Sequence, residues 1–242
     1  MLKRIFYPFI LLFTLLKVIF LTCIVFLLFS IITILIFRFI PPATTAFIED
    51  ESNIEILSLV ENNRPEYDWV SINDVSPYMG LAVIASEDQR FATHWGFDFE
   101  QIQKAIKEKE RGRRVRGAST ISQQVSKNLF LWKDKTLIRK GIEAYYTMLI
   151  ETLWGKKRIL ETYINIAELG RGVYGVKAAS NIFFKKEPNK LTMGQCAILA
   201  AVIPRPQKFK ANRPSLYILR RQGQILTQMG YLGGKDYLKQ FM

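Results

Sequence analysis

From Ile5 to Phe37 the chain carries a single charge, Lys17, and Val18 to Phe37 is twenty uncharged, mostly apolar residues in succession. As a helix, such a stretch spans about 30 Å, the hydrocarbon thickness of a bilayer. A signal peptide is the competing reading, but its apolar core would run about 7–15 residues and finish at a small-residue cleavage site. This run is longer and ends in Arg38-Phe39-Ile40-Pro41-Pro42. One uncleaved transmembrane helix within residues 1–40 is therefore expected. Lys3, Arg4 and Lys17 precede the span, and Arg38 and then Glu49, Asp50, Glu51 and Glu55 follow it. Basic flanks stay cytoplasmic. That orients the N-terminus inside a cytoplasmic (inner) membrane and the body outside it, in a periplasmic or extracellular space.

The rest of the chain divides into a linker over residues 41–73 and a domain over 74–242. Thirty Lys and Arg face twenty-one acids there, a net of +9, and Lys104 to Lys140 alone holds twelve basic and three acidic residues. Such a field collects anions: phosphates, nucleic acid or anionic lipid. Cys196 is the single cysteine beyond the span, so no internal disulfide forms in the body, and two cysteines with one histidine exclude a usual structural zinc site. From Ser76 onward nearly every segment has helical spacing. Helices are expected to lead into Glu87 and to cover Phe99–Lys109, Thr136–Trp154, Lys156–Ala167, Leu191–Ile203 and a stretch from about Ser215. Ser119 is the expected N-cap of a further helix. Residues 110–116, too charged and glycine-broken for a core, read as a solvated loop, with a flap over substrate as the alternative. Gly170-Arg-Gly-Val-Tyr-Gly175 has dinucleotide-fingerprint spacing but follows a helix instead of a strand, so its glycines read as turn and packing residues. The body is mainly α.

Two stretches carry chemistry. Glu87 to Asp98, EDQRFATHWGFD, joins an acid pair to the chain's one histidine, His94, among aromatic residues. Apolar surroundings raise a carboxyl's pKa and make it a better base. Gly117 to Phe130, GASTISQQVSKNLF, brings Thr120, Gln124 and Lys127 to one helix face at i, i+4 and i+7. Lys133, Lys135, Arg139 and Lys140 follow. A base beside many cations suits displacement of a diphosphate, whose charge can be neutralised as it leaves. Glycoside hydrolysis instead needs a protonated acid for the leaving alcohol and usually a second carboxylate. A tether at the membrane points to a lipid-linked donor.

These two stretches, together with RKGIE, KRILETYINIAELGRGVYG and AILAAVIPRP, resemble in order and spacing the five motifs of the peptidoglycan glycosyltransferases of glycosyltransferase family 51, over roughly residues 70–215. The resemblance implies a lysozyme-like, two-lobed helical domain that polymerises lipid II, with β-1,4 transfer, inversion and release of undecaprenyl diphosphate. The growing glycan strand is the donor and lipid II the acceptor. Glu87 matches the general base and Glu143 the second essential glutamate. Asp88, Phe91 and His94 match supporting residues. Ser119, Thr120, Gln123, Gln124 and Lys127 match the sugar-diphosphate motif, and Lys135, Arg139 and Lys140 match further phosphate-binding cations. No cofactor is required, although a divalent cation such as Mg or Mn could accompany the diphosphate. Membrane lipid and other cell-wall synthesis or division proteins are the implied partners, and nucleic acid is not. One anchor and the absence of Ser-x-x-Lys and Lys-Thr-Gly resemble the monofunctional biosynthetic form.

Three positions depart from the pattern: Lys135 for a common arginine, Ala118 for a frequent glycine and Gln195 for a frequent glutamate. Singly, each residue has a plainer reading: His94 as a structural hydrogen-bonder, Glu87 as a helix-end acid, Arg139 and Glu143 as an i,i+4 pair. Two other functions fit parts of the chain. One is a tethered lysozyme-like hydrolase or lytic enzyme. The other is a basic non-catalytic scaffold binding anionic lipid or nucleic acid.

Overall fold

The structure, a computed structural model, describes residues 2–50, 65–112, 117–134 and 136–242, with side chains from residue 11 onward. Two compact units emerge, Met1–Ile40 and Pro41–Met242. The first is one helix, α1 (Leu2–Phe39). Its Leu11–Phe39 portion is long and apolar enough to cross a bilayer. Most of its large side chains, Phe13 and Phe29 among them, are exposed, as suits a lipid-facing helix, while Ile34 is buried.

The second unit is built round α2 (Pro77–Glu87), which starts with proline at its first turn, where no amide hydrogen is missed. Met79 to Ala85 are buried without interruption, so this helix has no solvent face over that span. It is covered by α6 (Lys156–Ile166), α8 (Met193–Val202) and α9 (Leu216–Tyr231). Side chains such as Leu81, Val83 and Ile84 are at most 1% exposed, and full burial stabilises by about 1.5–3 kcal/mol for each of this kind. The central helix ends on Glu87, so a continuously buried segment stands directly behind the acid pair.

α3 (Phe99–Glu110) follows, capped by the Asp98 side chain. α4 (Ile121–Phe130) buries Ile121, Val125 and Leu129 against α5 (Leu137–Leu153) and α6. Its N-cap is Thr120, one residue later than expected. Thr120 Oγ1 accepts from the Gln123 amide, and Gln123 Oε1 accepts from the Thr120 amide. Ser119 could not close this reciprocal box, because its N3 partner would be Ser122, a buried hydroxyl donating to Glu151.

A small sheet sits at one edge in the order β1 (Glu66–Tyr67), β3 (Val173–Tyr174), β2 (Glu168–Gly170). β2 and β3 form an antiparallel hairpin with a bulge. Gly170 therefore closes a short strand that lies between it and the helix, and the hairpin leaves no βαβ unit for a dinucleotide. Gly175 needs φ +80°, and a Cβ there would lie 2.4 Å from the Asn165 carbonyl oxygen. It opens α7 (Gly175–Ala179), which runs into a π-helical turn over Ser180–Phe184.

Candidate active site

Glu87 projects from the C-terminal end of α2. Its Oε1 accepts from Ser86 Oγ at 3.1 Å, and its Oε2 accepts from Gln124 Nε2 at 3.1 Å. Protein atoms pack round the carboxyl, although the residue keeps some surface. This burial pushes its pKa above the ordinary carboxylate value. The Gln124 and Ser86 hydrogen bonds and the Arg221 charge oppose the shift, and Asp88 adds to it. The Gln124 amide is itself oriented: Tyr163 donates its hydroxyl to Gln124 Oε1 at 2.9 Å.

Asp88 has a different task. It is buried, its carboxylate accepts from the Ile121 amide at 3.0 Å, and His94 Nε2 lies 2.9 Å from both its oxygens. One carboxylate thus ties the first stretch to the first turn of α4. Phe91 is fully buried, edge-on to His94, with Lys156 Nζ 4.7 Å above its ring. Lys156 also pairs with buried Glu151 at 2.6 Å. Thr120 Oγ1 donates to the Gly96 carbonyl at 2.7 Å, a second tie between the two stretches. Gly96 takes φ +80°, and a Cβ would stand 2.8 Å from Thr147 Cγ2.

A cleft of about 330 Å³ opens beyond Gln124. Ser119, Gln123, Gln124 and Lys127 line one side, and Arg139, Lys140 and Glu143 another, with Phe47 and Trp132 at its edges. Burial lowers the Lys127 pKa; Glu143 opposes that shift, and Arg139 and Lys140 add to it. Glu143 is 2% exposed, and its two oxygens are engaged by Arg139 at 2.7 Å and by Lys140. Arg139 Nε is buried and has no acceptor among the described residues. Buried, partly unsatisfied cations of this kind suit an incoming anion. A smaller cleft of about 210 Å³ holds Glu87, Asp88, Gly117, Ala118, Ser119 and Thr120. Ser119 lines both clefts, so Glu87 stands on the small one and, through Gln124, borders the cationic one.

Most residues singled out from the sequence thus converge. Thr120 and Gln123 are engaged in capping, and Thr120 does not line the cationic cleft that Gln124 and Lys127 share. Lys135 and residues 113–116 of the charged loop lie outside the described residues. At position 195 the glutamine closes the N-terminal box of α8, accepting from the Thr192 amide at 3.0 Å as a glutamate would. Four contributors went unseen in the sequence: Ser86, Tyr163, Arg221 and Phe47. Tyr163 reads as one more apolar position in a periodic helix, and nothing near Arg221 marks it.

The donor set does not fit a resident divalent ion. Glu143 is already paired with two cations in a cleft lined by positive charge, and among the described residues no cluster of three or more His, Cys, Asp or Glu could hold a metal.

The family model described as Transglycosylase matches residues 53–230. A biosynthetic peptidoglycan transglycosylase of Mannheimia succiniciproducens is 52% identical over 204 residues, 84% of this chain and 83% of that protein. Proteins of the same name from Escherichia coli and Shigella sonnei are 56% identical over 174 residues, 72% of each chain. With a family match across most of its length and relatives above half identity, the chain belongs to the transglycosylase family.

Proposed function

We propose that this chain polymerises peptidoglycan glycan strands from lipid II. Glu87 is the general base. It takes the proton of the acceptor's 4-hydroxyl as that oxygen forms the β-1,4 bond to the anomeric carbon of the growing strand. The bond from that carbon to the undecaprenyl diphosphate breaks on the opposite face, with inversion. The leaving diphosphate needs no proton, because Lys127, Arg139 and Lys140, with Lys135, receive its charge. Glu143 holds Arg139 and Lys140 in place. Asp88, Phe91 and His94 fix the base against α4, and Ser119 and Gln124 span the two clefts.

The observation that carries this reading is the 3.1 Å bond from Gln124, which lines the cationic cleft, to Glu87. A lytic enzyme would use the same raised carboxyl as an acid on a leaving alcohol, and the cationic cleft beside it would have no role. The relatives' name, biosynthetic, supports synthesis. Residues 1–40 serve as the anchor, 41–73 as a linker and entry segment that also lends Phe47 to the cationic cleft and β1 to the sheet, and 74–242 as the body of the catalytic domain. Lys3, Arg4 and Lys17 keep the N-terminus cytoplasmic. Other cell-wall synthesis or division proteins are its natural partners there.

The test is to incubate the detergent-solubilised chain with lipid II in one tube and with purified sacculi in another. Glycan polymer in the first and no soluble fragments in the second is expected. Fragments from sacculi without polymer from lipid II would overturn the reading.

A further inference from the structure

Arg221 lies on α9, far along the chain from the acid pair and outside every stretch with a chemical signature. Its Nη2 donates to the Ser86 carbonyl at 3.2 Å and reaches Ser86 Oγ at 3.4 Å, while Nη1 reaches Gln224 Oε1 at 3.4 Å. Ser86 Oγ in turn faces two acceptors, Glu87 Oε1 at 3.1 Å and the Ala200 carbonyl at 3.4 Å. A hydroxyl has one proton and two lone pairs. With the guanidinium on a lone pair, the proton must go to one acceptor or the other. An ionised carboxylate wins, since a charge-assisted bond is roughly twice as strong as a neutral one. Once Glu87 takes up a proton, the hydroxyl is free to turn to Ala200. Arg221 and Ser86 thus favour the carboxylate form both by charge and by an aimed hydrogen bond.

Gln124, on α4, also favours the carboxylate, donating to its other oxygen, Oε2, at 3.1 Å; among the described residues the remaining groups round Glu87 do not bond to Oε1 in place of Ser86. Asp88 opposes ionisation. Lys127, on α4, and Tyr163, on α6, both feel the Glu87 charge, but neither is bonded to the carboxylate among the described contacts. From α8 comes the Ala200 carbonyl, and the one ionisable group of that helix, Cys196, bonds towards Ser76 instead. The 3₁₀ stretch Gly234–Gln240 brings Tyr237 to the Gln89 carbonyl and near Asp88. Its Lys235 sits over Tyr78, and its Asp236 and Lys239 pair with each other.

We infer that Arg221, acting through Ser86, is a positioning residue that keeps the Glu87 carboxylate ionised and aimed at the acceptor. The inference rests on Glu87 being the base. It predicts that Arg221→Met moves the acidic limb of the turnover profile to higher pH by about 1 unit, the low end of the range for a nearby opposite charge. The KM for lipid II stays within about twofold. Ser86→Ala moves the limb the same way by less, and Arg221→Lys, which keeps the charge, shows only part of the shift.

The experiment measures turnover of lipid II against pH for the full chain in detergent, with these variants and Glu87→Gln in parallel and a thermal melt of each. If Glu87→Gln is inactive while Arg221→Met and Ser86→Ala keep the parent limb, this inference is overturned and the base assignment stands. If Glu87→Gln is fully active, the base assignment itself fails. Should Arg221→Met not fold, Ser86→Ala decides by the same criterion.

Discussion

Tyr163 donates its hydroxyl to Gln124 Oε1, and this one bond decides which end of the Gln124 amide faces Glu87. An amide can present its oxygen or its nitrogen by a half-turn. With its oxygen already engaged, Gln124 offers N–H to the carboxylate. The phenol is fully buried and its pKa is pushed well above the usual value, by burial first and then by the Glu87 and Asp88 charges, so it remains a donor across the working range.

Tyr163→Phe removes that donor and frees the amide to turn. A hydrogen bond of this kind contributes about 0.5–1.5 kcal/mol, so turnover on lipid II should fall by roughly 2- to 13-fold. The melting temperature should drop only slightly. Steady-state kinetics with a parallel melt check both.

Glu87 also makes a prediction about stability. Its folded pKa is raised, chiefly by burial. The native state therefore holds this proton more tightly than the unfolded chain does. The stabilisation is present below the unfolded carboxyl's pKa and lost as pH rises through the folded one. Glu87→Gln, which cannot ionise, should melt higher than the parent at neutral pH, and the gap should close under acid. Melts at several pH values test the sign.

At Lys127 burial lowers the folded pKa, so the charged ammonium costs stability at every pH below that value, and the cost fades as pH rises through the unfolded lysine range. Lys127→Met should be no less stable than the parent near neutrality, yet bind inorganic pyrophosphate at least about tenfold more weakly, the loss of one charge-assisted contact of roughly 1.5–3 kcal/mol. Calorimetric titration with pyrophosphate measures it.

Gly96→Ala puts a side chain at φ +80° and 2.8 Å from Thr147 Cγ2. The strain should cost about 1–3 kcal/mol and loosen the Thr120 contact to the Gly96 carbonyl. A lower melting temperature together with reduced turnover is expected.

Much of this could be read from the chain directly. The helix spacing, the apolar anchor and the five motifs located Glu87, Gln124, Lys127, Arg139 and Glu143 before any geometry. The reason is physical: a periodic apolar stripe and short-range caps are local properties, written within a few residues. What was hidden is long-range. Arg221 reaches Ser86 only because α9 packs across α2, and no spacing announces that. The N-cap shift from Ser119 to Thr120 turned on whether residue 122 or 123 could reach back. The β2–β3 hairpin was masked because strands of two or three residues leave no alternating pattern.

The central claim is that the Glu87 carboxylate performs the proton transfer while substrate binding lies with the cations. Rapid-mixing kinetics of Glu87→Gln with lipid II, beside pyrophosphate binding by the same protein, tests it most directly. Polymer formation should fall by at least about 100-fold, in the range that general-base catalysis supplies, with pyrophosphate affinity within about twofold of the parent. Polymer formation at the parent rate by a correctly folded Glu87→Gln would contradict the account.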